Sequence, residues 1–220
     1  LNLHMNRYVV CTEENAAPGL AMPGLLDADK LFIVKENRGV AGLLAERLEK
    51  VGINCEAVDT LPTDAKAVVM LNGLNQLKGN RQFAELNYGT FHSLKPCAES
   101  MATNGKMLAV VQDTGGDFGL SGTAGERVWS GGLAALAKTV ALEWPHVTSK
   151  AIDIDSDSLA ATDVADKLFN EIIAGGHQTE VGLPKNGSRI CIKTQQSDEM
   201  NDAVSLSPED VIVVPGGCRG

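Results

Sequence analysis

The chain has 220 residues, 44% of them hydrophobic, which suits one sizeable domain that buries a continuous core and is large for a single α/β unit. Its 19 lysines and arginines stand against 28 aspartates and glutamates, a net charge of -9. With no clustered basic run, that balance excludes a nucleic-acid or anionic-membrane surface and fits acidity that serves solubility.

In chain order, "NRYVVCTEE" is a short strand candidate, and "NAAPGLAMPGLLDAD", broken by Pro18, Gly19, Pro23 and Gly24, is an extended connection. "KLFIVKEN" follows as an apolar strand. "GVAGLLAERLEKVG" has helical spacing, Lys50 in its last turn and Gly52 at its end. "INCEAVDTL" and "KAVVMLNGL" are two further strands, "NRQFAELNYGTFHSLKPCAESMATNG" is helical, and "KMLAVVQDTGG" is a buried strand. The stretch "GERVWSGGLAALAKTVALEWP" forms the next helix, closed by Pro145. "KAIDID" is a strand, "LAATDVADKLFNEIIAGG" a helix, and "TEVGLPKNGSRICIKTQQ" the final strand and its exit. This alternation predicts a parallel, doubly wound sheet with helices on both faces. The polar "QQSDEMNDAVSLSPED" is a linker, and "VIVVPGGCRG" opens a new strand and a glycine-rich turn inside which the chain stops.

Cys11, Cys55, Cys97, Cys191 and Cys218 form no CxxC pair, so neither a disulfide framework nor a zinc site is expected, and a reducing cytoplasm fits. No apolar run reaches signal-peptide or membrane-span length. Asp153, Asp155 and Asp157 have the opening spacing of a calcium loop. Ser158 stands where that loop needs glycine and its final Glu is missing, so solvated carboxylates at a strand end are expected and no metal site. His4, His92, His146 and His177 accompany no nucleophile motif.

"SGGLAALAKTVALEWP" and "VIVVPGGCRG" resemble the ketoreductase region of polyketide synthases and polyunsaturated fatty-acid synthases, and "RYVV" with "APGLAMPGLL" resembles the latter group in particular. The resemblance implies a degenerate short-chain dehydrogenase fold of Rossmann type. It also implies a choice, since such ketoreductases contain a structural half and a catalytic half that binds NADPH. In the family pattern a Tyr four residues before a Lys exchanges the proton, its pKa lowered by the Lys charge. Here Glu126 stands at the Tyr position and Ser130 at the Lys position, while Asp113 replaces the Ser that polarises the carbonyl. A carboxylate there repels a developing oxyanion. In the turn after the first Rossmann strand, Lys35 occupies the first glycine position, Gly39 keeps the second and Ala41 replaces the third. Lys35 is expected to be a solvated surface residue, Asn72 and Gly73 a relic supporting a strand end, and Gly131 and Gly132 a place where another backbone packs close.

The chain is therefore expected to be the structural half: no catalytic residue, no metal, and no cofactor bound by the chain itself. Residues 1–29 would be the N-terminal strand and extended connection, 30–195 the degenerate Rossmann-like subdomain, and 196–220 a linker with the start of the catalytic subdomain. In that start, Gly216 and Gly220 fall on the first two glycine positions of a cofactor turn, and Arg219 resembles the residue that meets the 2′-phosphate of NADPH. The implied partners are the catalytic half, reached through an exposed apolar surface, and acyl carrier protein domains of the synthase, with no nucleic acid and no membrane. Two rival readings remain open. One is an autonomous oxidoreductase using Glu126 with its pKa raised by burial, and the other is an assembly or docking module.

Overall fold

The structure, a computed structural model, describes residues 7–197, 207–211 and 213. Two compact units divide the chain: Cys11–Lys193, which holds the helices and most of the sheet, and a smaller one made of the first ten residues and those from Thr194 onward.

Four apolar runs form the centre of the sheet: β2 (Leu31–Val34), β4 (Ala67–Gly73), β5 (Met107–Gln112) and β6 (Thr148–Ile154). They are buried almost throughout because both faces are covered. With β1 (Arg7–Glu14), β3 (Cys55–Val58), β7 (Glu180–Leu183) and β8 (Ile190–Ser197) they give eight strands among the described residues, in the order β1-β8-β7-β6-β5-β4-β2-β3. Neighbours from β3 through β7 pair in parallel, and β7 and β8 antiparallel. This is the expected Rossmann-like, doubly wound α/β fold.

Successive strand residues alternate between two cores. Val69, Leu71, Ala109 and Val111 pack with Leu44 and Leu48 of α1 (Val40–Lys50) and with Leu168 and Ile172 of α5 (Ala161–Ala174). Val68, Met70, Leu108 and Val110 pack with Phe83 and Leu86 of α2 (Gly79–Leu94), Met101 of α3 (Ala98–Asn104), and Leu133, Ala137 and Val140 of α4 (Gly132–Glu143). Each fully buried Leu or Ile contributes roughly 1.5–3 kcal/mol over an exposed one, so two such layers hold the sheet without help from a ligand.

Three expected elements differ. The long helix after β4 is broken into α2, a 3-10 turn at Lys95–Cys97 and α3, because Pro96 has no N–H to continue the ladder. The expected helix from Gly125 is a 3-10 segment, Gly125–Gly131, followed by α4. The expected final strand is a hairpin, β7 and β8, turned around Pro184 to Gly187. Most of the strand and glycine turn expected at 211–220 lies outside the described residues, Gly216, Arg219 and Gly220 included. No helix among the described residues is long and apolar enough to cross a membrane.

The connection after β1 lies against the end of α5. Gly19 and Met22 donate backbone hydrogen bonds to Ala174 and Ile172 at 2.9 and 2.8 Å, and Met22 and Leu25 are buried in the α1/α5 core. A buried ionic cluster sits beside it. Lys150 of β6, fully buried, donates to Glu171 of α5 at 2.6 Å, and Arg189 meets the same carboxylate at 2.7 and 3.1 Å. Arg189 also donates to the carbonyls of Asn15 and Gly175, at 2.9 and 2.8 Å, which joins the connection to the sheet.

Candidate functional site

Between β2 and β4 the strand order reverses, and the C-terminal ends of β2, β4, β5 and β6 border a crevice of about 270 Å³. Open α/β sheets bind ligands at such switch points. Arg38, Asn75, Gln76, Asp113, Arg127 and Ser156 are among its lining residues. That volume lies just under the ~300–1,000 Å³ of ordinary small-molecule pockets, which leaves little room for a dinucleotide.

The three residues at the expected catalytic positions do not converge on a reacting centre. Asp113, leaving β5, is ion-paired through Oδ1 with Arg127 and accepts a 2.5 Å hydrogen bond from Ser156 Oγ at Oδ2. Burial pushes its carboxyl up, against the hydrogen bond from Ser156 and the charge of Arg127. Glu126 is exposed, and its carboxylate accepts from the Gly79 N–H at the start of α2, 3.1 Å away. The burial required of Glu126 as an unusual acid is absent. Ser130 is buried and donates to the Arg127 carbonyl at 2.8 Å.

The cofactor turn is also occupied from within. Gly39 has φ 82 and precedes α1, as a tight strand-to-helix turn requires. The N–H groups that a pyrophosphate would use at such a helix end meet the Glu36 carboxylate instead. Its Oε1 accepts from Ala41 at 3.0 Å, and its Oε2 accepts from the Arg38 N–H. A fixed negative charge there repels a phosphate. Lys35 turns to the surface, paired with Asp59 at 2.9 Å. The residues present do not fit a dinucleotide cofactor.

The loops that border the crevice are tied to one another. Asn37 N–H donates to Asn75 Oδ1 at 2.9 Å, and Gln76 N–H donates to Asn37 Oδ1 at 3.5 Å, joining the exits of β2 and β4. The Arg38 guanidinium donates to Ser156 Oγ and to the carbonyls of Ser156 and Leu159, at 3.3 and 3.0 Å, joining the exits of β2 and β6. Arg127 reaches Asp155 at 3.5 Å as well as Asp113. Ser156 thus donates to one partner while accepting from another, and among the described residues no histidine lines the crevice beside it to act as a base.

The structure corrects other expectations. Asp153 is not a solvated strand-end carboxylate. It is fully buried and accepts from the N–H groups of Thr114 and Phe118 at 2.6 and 2.7 Å, and burial pushes its pKa up to about 6. No three His, Cys, Asp or Glu side chains among the described residues converge as metal ligands. No backbone packs against Gly131, which has open space around it, and Gly132 accommodates the side chain of Asn87. Gly73 does have a packing role, since a Cβ there would lie 2.1 Å from the Val111 carbonyl on β5.

Large apolar side chains are exposed on α2, α4 and the segment before α4. Tyr88, Phe91, Trp129 and Leu142 are 68%, 52%, 54% and 84% exposed. Between the two helices runs a groove of about 300 Å³ lined by Phe91, Leu94, Leu136, Val140 and Trp144.

Glu36, Arg38, Arg127 and Ser156 escaped the sequence reading. Only Glu36 carried a signal, an acid just ahead of a helix start.

No family model matches the sequence. Over 97 residues the chain is 30% identical to a polyunsaturated fatty acid synthase polypeptide of Thraustochytrium sp. (strain ATCC 26185 / S-3), a match spanning 43% of this chain and 3% of that polypeptide. Among solved structures, the first ketoreductase of the tylosin PKS superposes with TM-score 0.57 at 13% identity, over 87% of this chain and 41% of that one. An adenylation, ketoreductase and pseudo Asub multidomain structure of a keto acid-selecting NRPS module gives 0.59 at 12%, over 89% and 19%. An A1-type ketoreductase gives 0.52 at 18%, over 90% and 44%. The chain therefore has the fold of ketoreductases and spans less than half of each of these proteins.

Proposed function

We propose that this chain, with a ketoreductase fold and none of its reacting groups, is the structural half of a ketoreductase in a multidomain polyunsaturated fatty-acid or polyketide synthase. One observation carries the reading: Asp113, paired with Arg127, lines the crevice at the position where a reductase would carry the group that polarises its substrate carbonyl. The other half binds NADPH and reduces a β-ketoacyl group presented by an acyl carrier protein domain. Its cofactor turn begins with Gly216, Arg219 and Gly220, after a linker from residue 196. Residues 30–195 brace it, and residues 1–29 supply a shared strand and connection. The exposed apolar residues of α2 and α4, with the groove between the two helices, fit packing against that half. The synthase relative and the multidomain neighbour support the assignment to a large multidomain enzyme.

Calorimetric titration with NADPH tests it, on this chain and on a longer one carrying the sequence after Gly220. Binding by the longer chain alone is the expected result. Binding by the short chain would overturn the structural reading and return attention to Lys35, Asn72 and Glu126.

A further inference from the structure

We propose that the loops around the crevice are held together by an internal latch whose central residue is Ser156, so that the protein's own groups do what a bound cofactor does in a cofactor-binding sheet of this fold: tie the strand-end loops together. The inference rests on reading this crevice as the counterpart of a cofactor cleft.

The latch is one unbroken polar chain. From the turn after β2, Arg38 donates to Ser156 Oγ after β6. Ser156 Oγ donates in turn to Asp113 Oδ2 after β5, at 2.5 Å. Asp113 Oδ1 then pairs with Arg127 of the 3-10 segment before α4. Ser156 is 2% exposed, and the Asp113 and Arg127 side chains are 12% and 31% exposed, so these bonds compete little with water. The two arginines belong to loops about ninety positions apart in sequence and no hydrogen bond joins them directly; each acts on the other through Ser156 Oγ and Asp113, with a longer second path through Asp155, 3.5 Å from Arg127, and the Ser156 carbonyl. Three loops free to close on a ligand would move separately. Loops joined in this way open together.

Ser156 is a positioning residue, and the readout is coupling. Hydrogen exchange is followed in this chain without any cofactor, with Arg38→Ala, Arg127→Ala and the double variant, over residues 35–41, 113–127 and 155–160. Each single change is expected to speed exchange in all three loops by about tenfold or more while β4 and β5 stay protected. In the double variant the acceleration is expected to fall at least about fivefold short of the product of the single effects. In a Ser156→Ala background that shortfall shrinks, what remains running through Asp155 and the Ser156 carbonyl, and an unchanged shortfall would also refute the central place of Ser156. If each arginine loosens only its own loop, or if the two effects multiply in full, the latch is refuted. NADPH binding by the short chain would overturn the proposed function and leave this result standing. Uncoupled loops would remove the latch and leave the proposed function standing.

Discussion

Glu171 is the one anion bonded to two buried cations among the described residues, and replacing it separates two explanations of that cluster. Its carboxylate takes Lys150 Nζ at 2.6 Å and Arg189 at 2.7 and 3.1 Å, and both partner side chains are nearly or wholly buried. Glu171→Gln keeps the shape and removes the charge, leaving two buried cations with no anion. Breaking a buried pair from one side costs about 3–5 kcal/mol. A domain has only about 5–15 kcal/mol in total. Lys150→Met is the opposite case. Burial lowers the Lys150 pKa in spite of Glu171, so the ionised amine is held at a cost, and after its removal Glu171 still has both Arg189 contacts. The change is expected to be neutral or stabilising, within about 1 kcal/mol. Thermal and urea unfolding followed by circular dichroism reads both. Glu171→Gln should lower Tm by roughly 6–20 °C for a unit of this size, and Lys150→Met should leave it nearly unchanged. Because the folded pKa of Lys150 lies below its ordinary 10.5, the unfolded chain holds that proton more tightly. Stability from this group therefore rises with pH toward 10.5 in the wild type and not in Lys150→Met. If Lys150→Met costs as much as Glu171→Gln, the pair itself stabilises the fold and the desolvation argument is wrong.

Asp153 gives a second pH signature. With its pKa raised by burial from 3.8 to about 6, its contribution is complete below pH 3.8 and is lost as pH rises through about 6. The span is about 3 kcal/mol, and urea midpoints measured across that window should flatten in Asp153→Asn. Glu36→Ala should cost about 1 kcal/mol by removing the carboxylate at the start of α1, read as faster exchange of the Ala41 amide. Gly73→Ala, which drives a Cβ to 2.1 Å from the Val111 carbonyl, should lower the free energy of unfolding, read from urea titration, by about 1–3 kcal/mol or prevent folding. Gly131→Ala, with open space and an ordinary φ of -58, should be neutral or stabilising by up to about 1 kcal/mol.

The fold was legible because apolar runs and helical spacing report burial directly, as in "KAVVMLNGL" and "GLLAERLEK". The hairpin of β7 and β8 was not, because "PKNGS" carries its turn in only a few residues between two short strands. The residues standing at the expected catalytic positions, Glu126, Ser130 and Asp113, could be read by register alone. Their partners could not. Arg38 and Ser156 are 118 positions apart, and Lys150 and Glu171 are on different elements, so only the folded chain brings them together. A lone lysine in the apolar "KAIDID" gave no hint of whether it faced water or an acid.

β1 and β8 are neighbours at one margin of the sheet, where Cys11 Sγ lies 3.6 Å from the Lys193 carbonyl. A polypeptide that enters the larger unit at Cys11 has therefore come back to its starting point by the time it leaves at Lys193. Two ends this close are the arrangement that tolerates rejoining a domain's chain in a new order, because the 183 residues from Cys11 to Lys193 start and finish at one margin of the sheet.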